Sequence, residues 1–277
     1  MKPLENFRVV SLAINIPGPV AAARLRDLGA AVVKIEPPSG DMMAWGSPPW
    51  YEALNRGIEV LTLDLKTAEG LKTLAEYLSY SDLLLTSTRP EALERLGLGW
   101  ATLSEKYPRL CQVAIVGYLP PDENKAGHDL TYQAGLGLVR PPQMPPTTLA
   151  DIAGAERAVQ AALGLLLARE RGQGSGFELV SLADAADLYA EPLRRGITTS
   201  GGSLGGGHPG YGLYQARDAW IALAALEPHF LQRLMIELGI TEMNHDAFAN
   251  AFGEQTADFW ERWAAEKDIP LVKVQDA

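Results

Sequence analysis

The sequence is poor in cysteine and in positive charge. Cys111 is the single cysteine among 277 residues, which excludes an intrachain disulfide and a cysteine-based zinc cluster. Because it lies in the apolar run 110–116, we interpret it as a buried strand residue and not as a nucleophile. The formal net charge of −10 argues against nucleic-acid binding, which needs a basic face.

Long apolar runs and dinucleotide signatures are also missing. No apolar run reaches the length needed to span a membrane, and the N-terminal residues lack the apolar core of a signal peptide, so we expect a cytoplasmic protein. The turn after the first predicted strand has no GxGxxG pattern, so a dinucleotide site is not supported. The histidines do not show metal-ligand spacing, and no metal site is expected.

Strands and helices alternate along the first part of the chain. The apolar runs 7–13 and 31–35 flank a helical segment that stops at Gly29, which is typical of a βαβ unit. Further strands are predicted at 59–65, 82–86 and 110–116, whereas 40–54 is predicted to be irregular. A long apolar helix is predicted from Asp151 to Arg171. This order predicts an α/β fold with a parallel sheet.

A glycine-rich stretch divides the sequence into two predicted domains. Residues 200–211 have the composition of a turn-rich linker. Residues 1–199 before it are predicted to form the large α/β domain. Residues 212–277 after it are predicted to form a small α+β domain, with two short strands at 212–215 and 220–224 followed by helices.

The stretch 126–154 carries a histidine and two carboxylates among small residues, and simple structural roles suit each. His128 is interpretable as a hydrogen-bonded loop histidine, and Asp129 as a structural residue. Thr148-Leu149-Ala150-Asp151 resembles a capping box, with a carboxylate at the third helical position. Glu227 precedes Pro228, which is a common arrangement at a helix start.

Ordered blocks of residues are spread over nearly the whole chain. The blocks include Gly18-Pro19, Val33-Lys34-Ile35-Glu36-Pro37-Pro38-Ser39-Gly40-Asp41, Asn55-Arg56-Gly57, Arg89-Pro90, Gly127-His128-Asp129, Ala150-Asp151 and Leu226-Glu227-Pro228. In this order they resemble CoA-transferase family III, the CaiB/BaiF type, and within it the α-methylacyl-CoA racemases. The racemase branch carries Gly-His-Asp, as this chain does at 127–129, where transferases usually carry Tyr in place of His128.

The resemblance implies a Rossmann-like large domain and a small α+β domain in an interlocked homodimer. It also implies an acyl-CoA thioester as ligand, with no cofactor beyond coenzyme A as the carrier of the substrate. His128 and Asp151 would exchange the α-proton of a 2-methylacyl-CoA, and Glu227 would support them. Such a pair suits racemisation because burial can tune both pKa values toward neutrality.

Backbone N–H groups and basic side chains are also predicted to contact the acyl-CoA, on patterns that are less specific than the motifs of His128 and Asp151. The free backbone N–H groups at the start of the Asp151 helix are predicted to hold the enolate oxygen. Basic groups at the ends of predicted strands are predicted to bind the CoA phosphates, because α/β proteins place ligands in the crevice at strand ends; these groups are Lys34, Arg56, Arg89 and Lys125. The alternative for Lys34 and Arg56 is that they are solvated surface charges.

Two other functions stay open on the sequence. In a family III CoA-transferase, Asp151 would be the covalent nucleophile and His128 would be unnecessary. A truncated, non-catalytic CoA-binding protein is the other alternative. It is suggested by Ile58 and Glu59, which stand where the family commonly has basic residues, and by a chain that ends at Ala277, where members normally continue and return to the large domain.

Overall fold

A computed structural model describes residues 1–275 of the chain. The chain divides into two compact units, Met1–Ala190 and Glu191–Ala277. The domain boundary at 199/200 and the linker role of residues 200–211 stay predictions.

The first unit is built on a six-stranded parallel sheet. Its strands are β1 (Arg8–Ser11), β2 (Ala31–Glu36), β3 (Glu59–Thr62), β4 (Leu83–Thr86), β5 (Cys111–Val116) and β6 (Phe177–Ser181). Their order across the sheet is β3-β2-β1-β4-β5-β6. The direction of winding therefore reverses between β1 and β4, which is the Rossmann arrangement. The predicted α/β class and the parallel sheet are confirmed.

Nine α-helices accompany these strands within the described part of the chain. They are α1 (Pro17–Asp27), α2 (Met43–Gly46), α3 (Pro48–Asn55), α4 (Ala68–Leu78), α5 (Pro90–Arg95), α6 (Trp100–Lys106), α7 (Asp129–Gly135), α8 (Leu149–Ala168) and α9 (Leu182–Arg194). Val9 of β1 belongs to the core formed with α1 and α8, and Val10 to the core formed with α4, α5 and α6. Both faces of the sheet are thus covered, which explains why a central strand such as β4 is buried at every position without alternation.

Cys111 and the alanines opposite it show why this core packs closely. The Cys111 side chain is fully buried, and burial is the main cause that raises the pKa of its thiol. Small residues such as Ala22 of α1 and Ala158 of α8 share the same core. The interpretation of Cys111 as a buried strand residue is confirmed.

The structure corrects two expectations about local structure. The stretch 40–54, predicted to be irregular, contains α2 and α3, and a proline pair opens α3 in the first helical turn, where prolines are tolerated. Helix α7 begins directly after His128, which was interpreted as a loop histidine, and its seven residues are too few to show a helical period.

The second unit has an antiparallel sheet of β7 (Tyr211–Gln215), β8 (Trp220–Ala224) and β9 (Leu271–Lys273). Helices α10 (Pro228–Leu238), α11 (His245–Phe252) and α12 (Ala257–Glu266) complete it. Its core contains Phe248, Phe252 and Trp260. The predicted hairpin and the small α+β domain class are confirmed, whereas β9 has only three residues and was missed.

Candidate active site

A cavity of about 240 Å³ lies at the carboxyl ends of strands β1, β4, β5 and β6. This is the edge of the sheet, near the reversal of winding, where α/β proteins bind ligands. Four of the seven predicted site residues line it. The polar and charged lining residues are Asn15, Ser87, Arg89, Glu123, Lys125, His128, Tyr132 and Asp151.

His128 occupies the N-cap position of α7. Its backbone N–H donates to Thr131 Oγ1 at 3.1 Å, and the Thr131 hydroxyl donates to the His128 carbonyl oxygen at 2.7 Å. These bonds fix the backbone of His128 against the first helical turn. The exposed imidazole lines the cavity, so His128 belongs to a helix start and not to an irregular loop.

Asp129 binds the N-terminus of helix α8. Its Oδ1 accepts hydrogen bonds from the backbone N–H groups of Ala150 at 2.7 Å and Asp151 at 3.1 Å. Its Oδ2 accepts one from Gln133 Nε2 at 2.6 Å. The structural role predicted for Asp129 is confirmed, and this carboxylate joins α7 to α8.

Two sequence-based expectations about the start of α8 are wrong. Within the described residues, the Thr148 side chain makes no capping hydrogen bond, so the capping-box interpretation of Asp151 fails. The backbone N–H groups of Ala150 and Asp151 are also unavailable as an oxyanion site, because Asp129 already accepts from both. The sequence could not show this, since Asp129 lies 21 and 22 residues before the two donors.

The carboxyl group of Asp151 has a raised pKa, about 7 instead of 3.8. Burial is the largest cause, and repulsion from the Asp129 carboxylate is the second. Both favour the neutral acid over the carboxylate. Near neutral pH the group is therefore divided between the two forms and can accept or donate a proton. A strongly perturbed carboxyl in a cleft is typical of a functional site.

Tyr132 explains the small residues beside His128. A Cβ atom at Gly117 would lie 2.5 Å from the Tyr132 hydroxyl oxygen, and one at Gly127 would lie 2.6 Å from it. The two glycines therefore make room for Tyr132, whose ring packs edge-on against Tyr118. Burial, reinforced by Tyr118 and Asp151, raises the pKa of Tyr132 to about 12. Its hydroxyl is a protonated donor in the cavity at neutral pH.

Glu123 is a cavity residue that sequence reasoning missed. It lines the cavity with Lys125 and His128. Its Oε2 atom is buried and has no hydrogen-bond partner among residues 1–275. Glu123 follows Pro120-Pro121-Asp122, a polar stretch typical of a surface loop, and no motif marks it.

Lys34 lies at the centre of a buried ion cluster. Its Nζ is 2.7 Å from Asp41 Oδ2 and 2.8 Å from Glu36 Oε1, and its side chain is fully buried. The interpretation of Lys34 as a solvated surface charge is wrong, and its enclosed ammonium has no free face for a phosphate. Asp41 Oδ1 also accepts from Asn15 N at 3.1 Å, so the cluster holds the turn that lines the cavity.

Arg56 and Glu227 are not among the residues that line this cavity. Arg56 is exposed and ends helix α3, as expected for a solvated surface charge. Glu227 lies in the second unit at the N-cap position of α10, directly before Pro228. Within the described residues its side chain makes no capping hydrogen bond. The supporting role of Glu227 stays a prediction.

A larger cavity of about 700 Å³ shares Ile14 with the first one. Residues after β2 and β3, among them Pro37 and Leu65, form its apolar lining. Two cations, Lys66 and Arg95, also line it. Within residues 1–275, no group of three or more His, Cys, Asp and Glu side chains is placed to hold a metal ion.

The family model of CoA-transferase family III matches residues 4–277. The chain belongs to this family. The resemblance drawn from the ordered sequence blocks is thereby confirmed. Family III enzymes bind acyl-CoA, and the match covers both units of the chain.

Two curated relatives of the chain have different activities in their names. A probable fatty acyl-CoA transferase of Mycobacterium tuberculosis is 29% identical over 288 residues, which are 92% of this chain and 72% of the relative. Human alpha-methylacyl-CoA racemase is 31% identical over 290 residues, which are 93% of this chain and 74% of the relative. The family therefore includes both reaction types that the sequence leaves open.

A solved family structure supports the fold. The crystal structure of a hypothetical protein from Mycobacterium tuberculosis has a TM-score of 0.85 and 27% identity, and the match covers 99% of this chain and 86% of that one. No helix within residues 1–275 is long and apolar enough to cross a membrane. The homodimer implied by the resemblance stays a prediction.

Proposed function

We propose that this family III member is an acyl-CoA racemase or epimerase that exchanges the α-proton of a 2-methylacyl-CoA thioester. One observation carries the proposal: His128 and Asp151 line the same cavity, and the pKa of Asp151 is about 7. Racemisation needs an acid and a base that exchange roles between the two directions. The reaction moves no electrons to or from the substrate, so it requires no cofactor beyond coenzyme A as the carrier.

The proposed reaction transfers one proton in each of two steps. The Asp151 carboxylate takes the α-proton and leaves an enolate, and the His128 imidazolium returns a proton to the opposite face. The enolate oxygen needs a donor other than the first amides of α8, because Asp129 accepts from those. The Tyr132 hydroxyl lines the cavity and stays protonated at neutral pH, so we assign it that role.

The positions of the cations indicate where the CoA body would bind. Arg89 and Lys125 line the cavity that holds His128 and Asp151. Lys66 and Arg95 line the adjoining 700 Å³ cavity, whose apolar wall suits the pantetheine arm. We therefore propose these four as phosphate-binding candidates, in place of the enclosed Lys34 and the exposed Arg56.

A CoA-transferase is the second candidate, favoured by the position of the Asp151 carboxyl in the cavity and by relatives that are named transferases. There the carboxylate attacks the thioester carbonyl, forms an acyl anhydride and releases the CoA thiolate. The thiolate then attacks the anhydride at Asp151, which releases the acid and leaves an Asp151–CoA thioester. A pKa near 7 reduces the fraction of nucleophilic carboxylate, and His128 has no role in this route.

Deuterium exchange tests the proposal directly. The chain is incubated with a chiral 2-methylacyl-CoA in deuterated water, and α-deuterium is followed by mass spectrometry. His128→Ala and Asp151→Asn should each lower the incorporation rate by about 10²- to 10⁴-fold, the usual contribution of a general acid or base. The matched control is Asp122→Asn, an exposed carboxylate near the cavity that does not line it.

The outcomes separate the three candidate functions. Incorporation that both substitutions suppress and Asp122→Asn preserves supports the racemase. Transfer of CoA to a free acid that survives His128→Ala but not Asp151→Asn would replace it with the transferase. Binding of the thioester without either reaction would support the non-catalytic alternative.

A further inference from the structure

A third cavity, of about 250 Å³, lies between the sheet and helices α5 and α6. Side chains alternate along β5, so Cys111 and Val113 join the core with α1 and α8, while Gln112 and Ala114 face the opposite side. Phe177 of β6 completes this wall of the cavity. The cavity is distinct from the one that contains His128 and Asp151, although Glu123 lines both.

Two buried acceptors in this cavity lack a donor. Gln112 is 1% exposed, and its Oε1 has no hydrogen-bond partner among residues 1–275. Glu123 is only partly buried, but its Oε2 atom is buried and likewise has no hydrogen-bond partner within that range. Buried polar atoms are almost always hydrogen-bonded, because an unpaired one has lost its contact with water without compensation. A ligand that carries donors would supply the partners that these acceptors lack.

The charges of the lining define the ligand further. Glu94 and Glu123 are the charged residues among those that line this cavity within the described chain. The cavity is therefore negative, in contrast to the reaction cavity with Arg89 and Lys125, and it disfavours phosphates. Trp100 and Phe177 stack with centroids 5.9 Å apart and an interplanar angle of 15°. Negative charge beside aromatic rings favours an organic cation.

We propose that this cavity is a second ligand site, which binds a small organic amine. Its ammonium group donates to Gln112 Oε1 and Glu123 Oε2, and its apolar body contacts the Trp100–Phe177 wall. An ammonium has three N–H donors, enough for both acceptors. A cavity of about 150 Å³ accommodates a benzene ring, so 250 Å³ accommodates an aryl amine.

Calorimetric titration with benzylamine tests the site, with benzyl alcohol as a ligand of similar shape that carries no charge. Benzylamine should bind saturably, and benzyl alcohol should bind at least about tenfold more weakly, because hydrogen bonds between charged groups are stronger than neutral ones. Glu123→Gln should weaken benzylamine binding by about tenfold or more. Glu105→Gln, on the exposed face of α6 outside the cavity, is the matched control and should change nothing.

A second variant and a crystal structure test whether benzylamine binds in this cavity. Glu94→Gln, at an exposed lining position, should weaken binding less than Glu123→Gln does. A crystal structure with benzylamine should place its nitrogen within hydrogen-bond distance of Gln112. The proposal is overturned if wild-type protein shows no saturable binding, if Glu123→Gln binds benzylamine as tightly as wild type, or if benzyl alcohol matches benzylamine. In the first case the cavity would hold water alone, and in the other two the Glu123 carboxylate or the positive charge of the ligand would not carry the binding.

Discussion

The two groups of buried charge in the first unit differ in how they are paired. Around Lys34, one ammonium contacts the carboxylates of both Glu36 and Asp41. Around Asp151, the charge that raises the pKa of the carboxyl group is another carboxylate, Asp129. The first arrangement stabilises a loop next to the cavity, and the second leaves a carboxyl group that can gain or lose a proton near pH 7.

This difference in pairing explains why Lys34, which was predicted to bind the ligand, is assigned a structural role. It also explains why Asp151 is a candidate for proton transfer. A buried cation with two carboxylate partners has its charge balanced within the protein. Removing the cation leaves the two carboxylates buried without a counter-charge. A carboxyl group that is half-buried beside a like charge has no such compensation. Its proton affinity rises, which is the property that proton transfer requires.

The largest expected effect on stability comes from Lys34→Met, which removes the ammonium that pairs with Glu36 and Asp41. The substitution keeps most of the side-chain volume but leaves Asp41, which is fully buried, without its counter-charge. We expect the free energy of unfolding in urea at pH 7 to fall by about 3–5 kcal/mol. Lys72→Met, at an exposed position of α4, should change it by less than about 0.5 kcal/mol.

Adding Asp41→Asn to Lys34→Met sharpens this result, because it removes the carboxylate that the first change leaves unpaired. The double variant should recover part of the lost stability. A loss below about 1 kcal/mol for Lys34→Met alone would show that the cluster is not structural, and would return Lys34 to the ligand-binding candidates.

The next effect is a pH dependence that Asp151 imposes on stability. Its pKa is raised from 3.8 to about 7 on folding, so the folded protein binds the proton more tightly than the unfolded chain. The stabilisation is complete below pH 4 and is lost as the pH rises through 7. The free energy of unfolding of wild type, relative to Asp151→Asn, should therefore decrease by about 2–4 kcal/mol between pH 4 and pH 8.

Urea unfolding of both proteins at several pH values measures this difference, and subtraction removes the contributions of the other titrating groups. A difference that stays constant from pH 4 to pH 8 would contradict the raised pKa.

The smallest expected effect is a partial decrease in the pKa of Asp151, which separates the contribution of burial from that of the Asp129 charge. Asp129→Asn retains a side-chain oxygen that can accept from Ala150 and Asp151 but removes the like charge. The pKa of Asp151 should fall from about 7 yet stay above its ordinary value, because burial is the larger cause. Carbon-13 NMR titration of the labelled carboxyl groups measures it. With the exposed Asp122→Asn as control, an unchanged pKa would show that Asp129 contributes nothing.

Much of the fold could be predicted because its signals are local or repeated. The alternation of apolar runs and helices indicated the parallel sheet, and helices α10, α11 and α12 follow β7 and β8 as predicted. The short α7 and β9 have too few residues to show a period. Helix α3 was hidden by prolines, which break helices in their interior but open them at the first turn, and α2 has only four residues.

The candidate site could be predicted only where a motif marks it. His128 and Asp151 stand in sequence blocks that resemble the family, and the structure brings both to one cavity. Glu123 carries no such mark, and the cations Lys34 and Arg56 were chosen by their positions near strand ends. Position along a strand does not tell whether a long side chain reaches a ligand or turns into the protein.

The sequence by itself determined the α/β class, the family and the pair His128 and Asp151, because periodicity and ordered motifs are written along the chain. The tertiary structure decided which charges are satisfied. It placed Asp129 on the amides of α8 and enclosed Lys34 between two carboxylates. Pairing and burial depend on distances between residues far apart in sequence, and these distances set both the pKa of Asp151 and the partners left for a ligand.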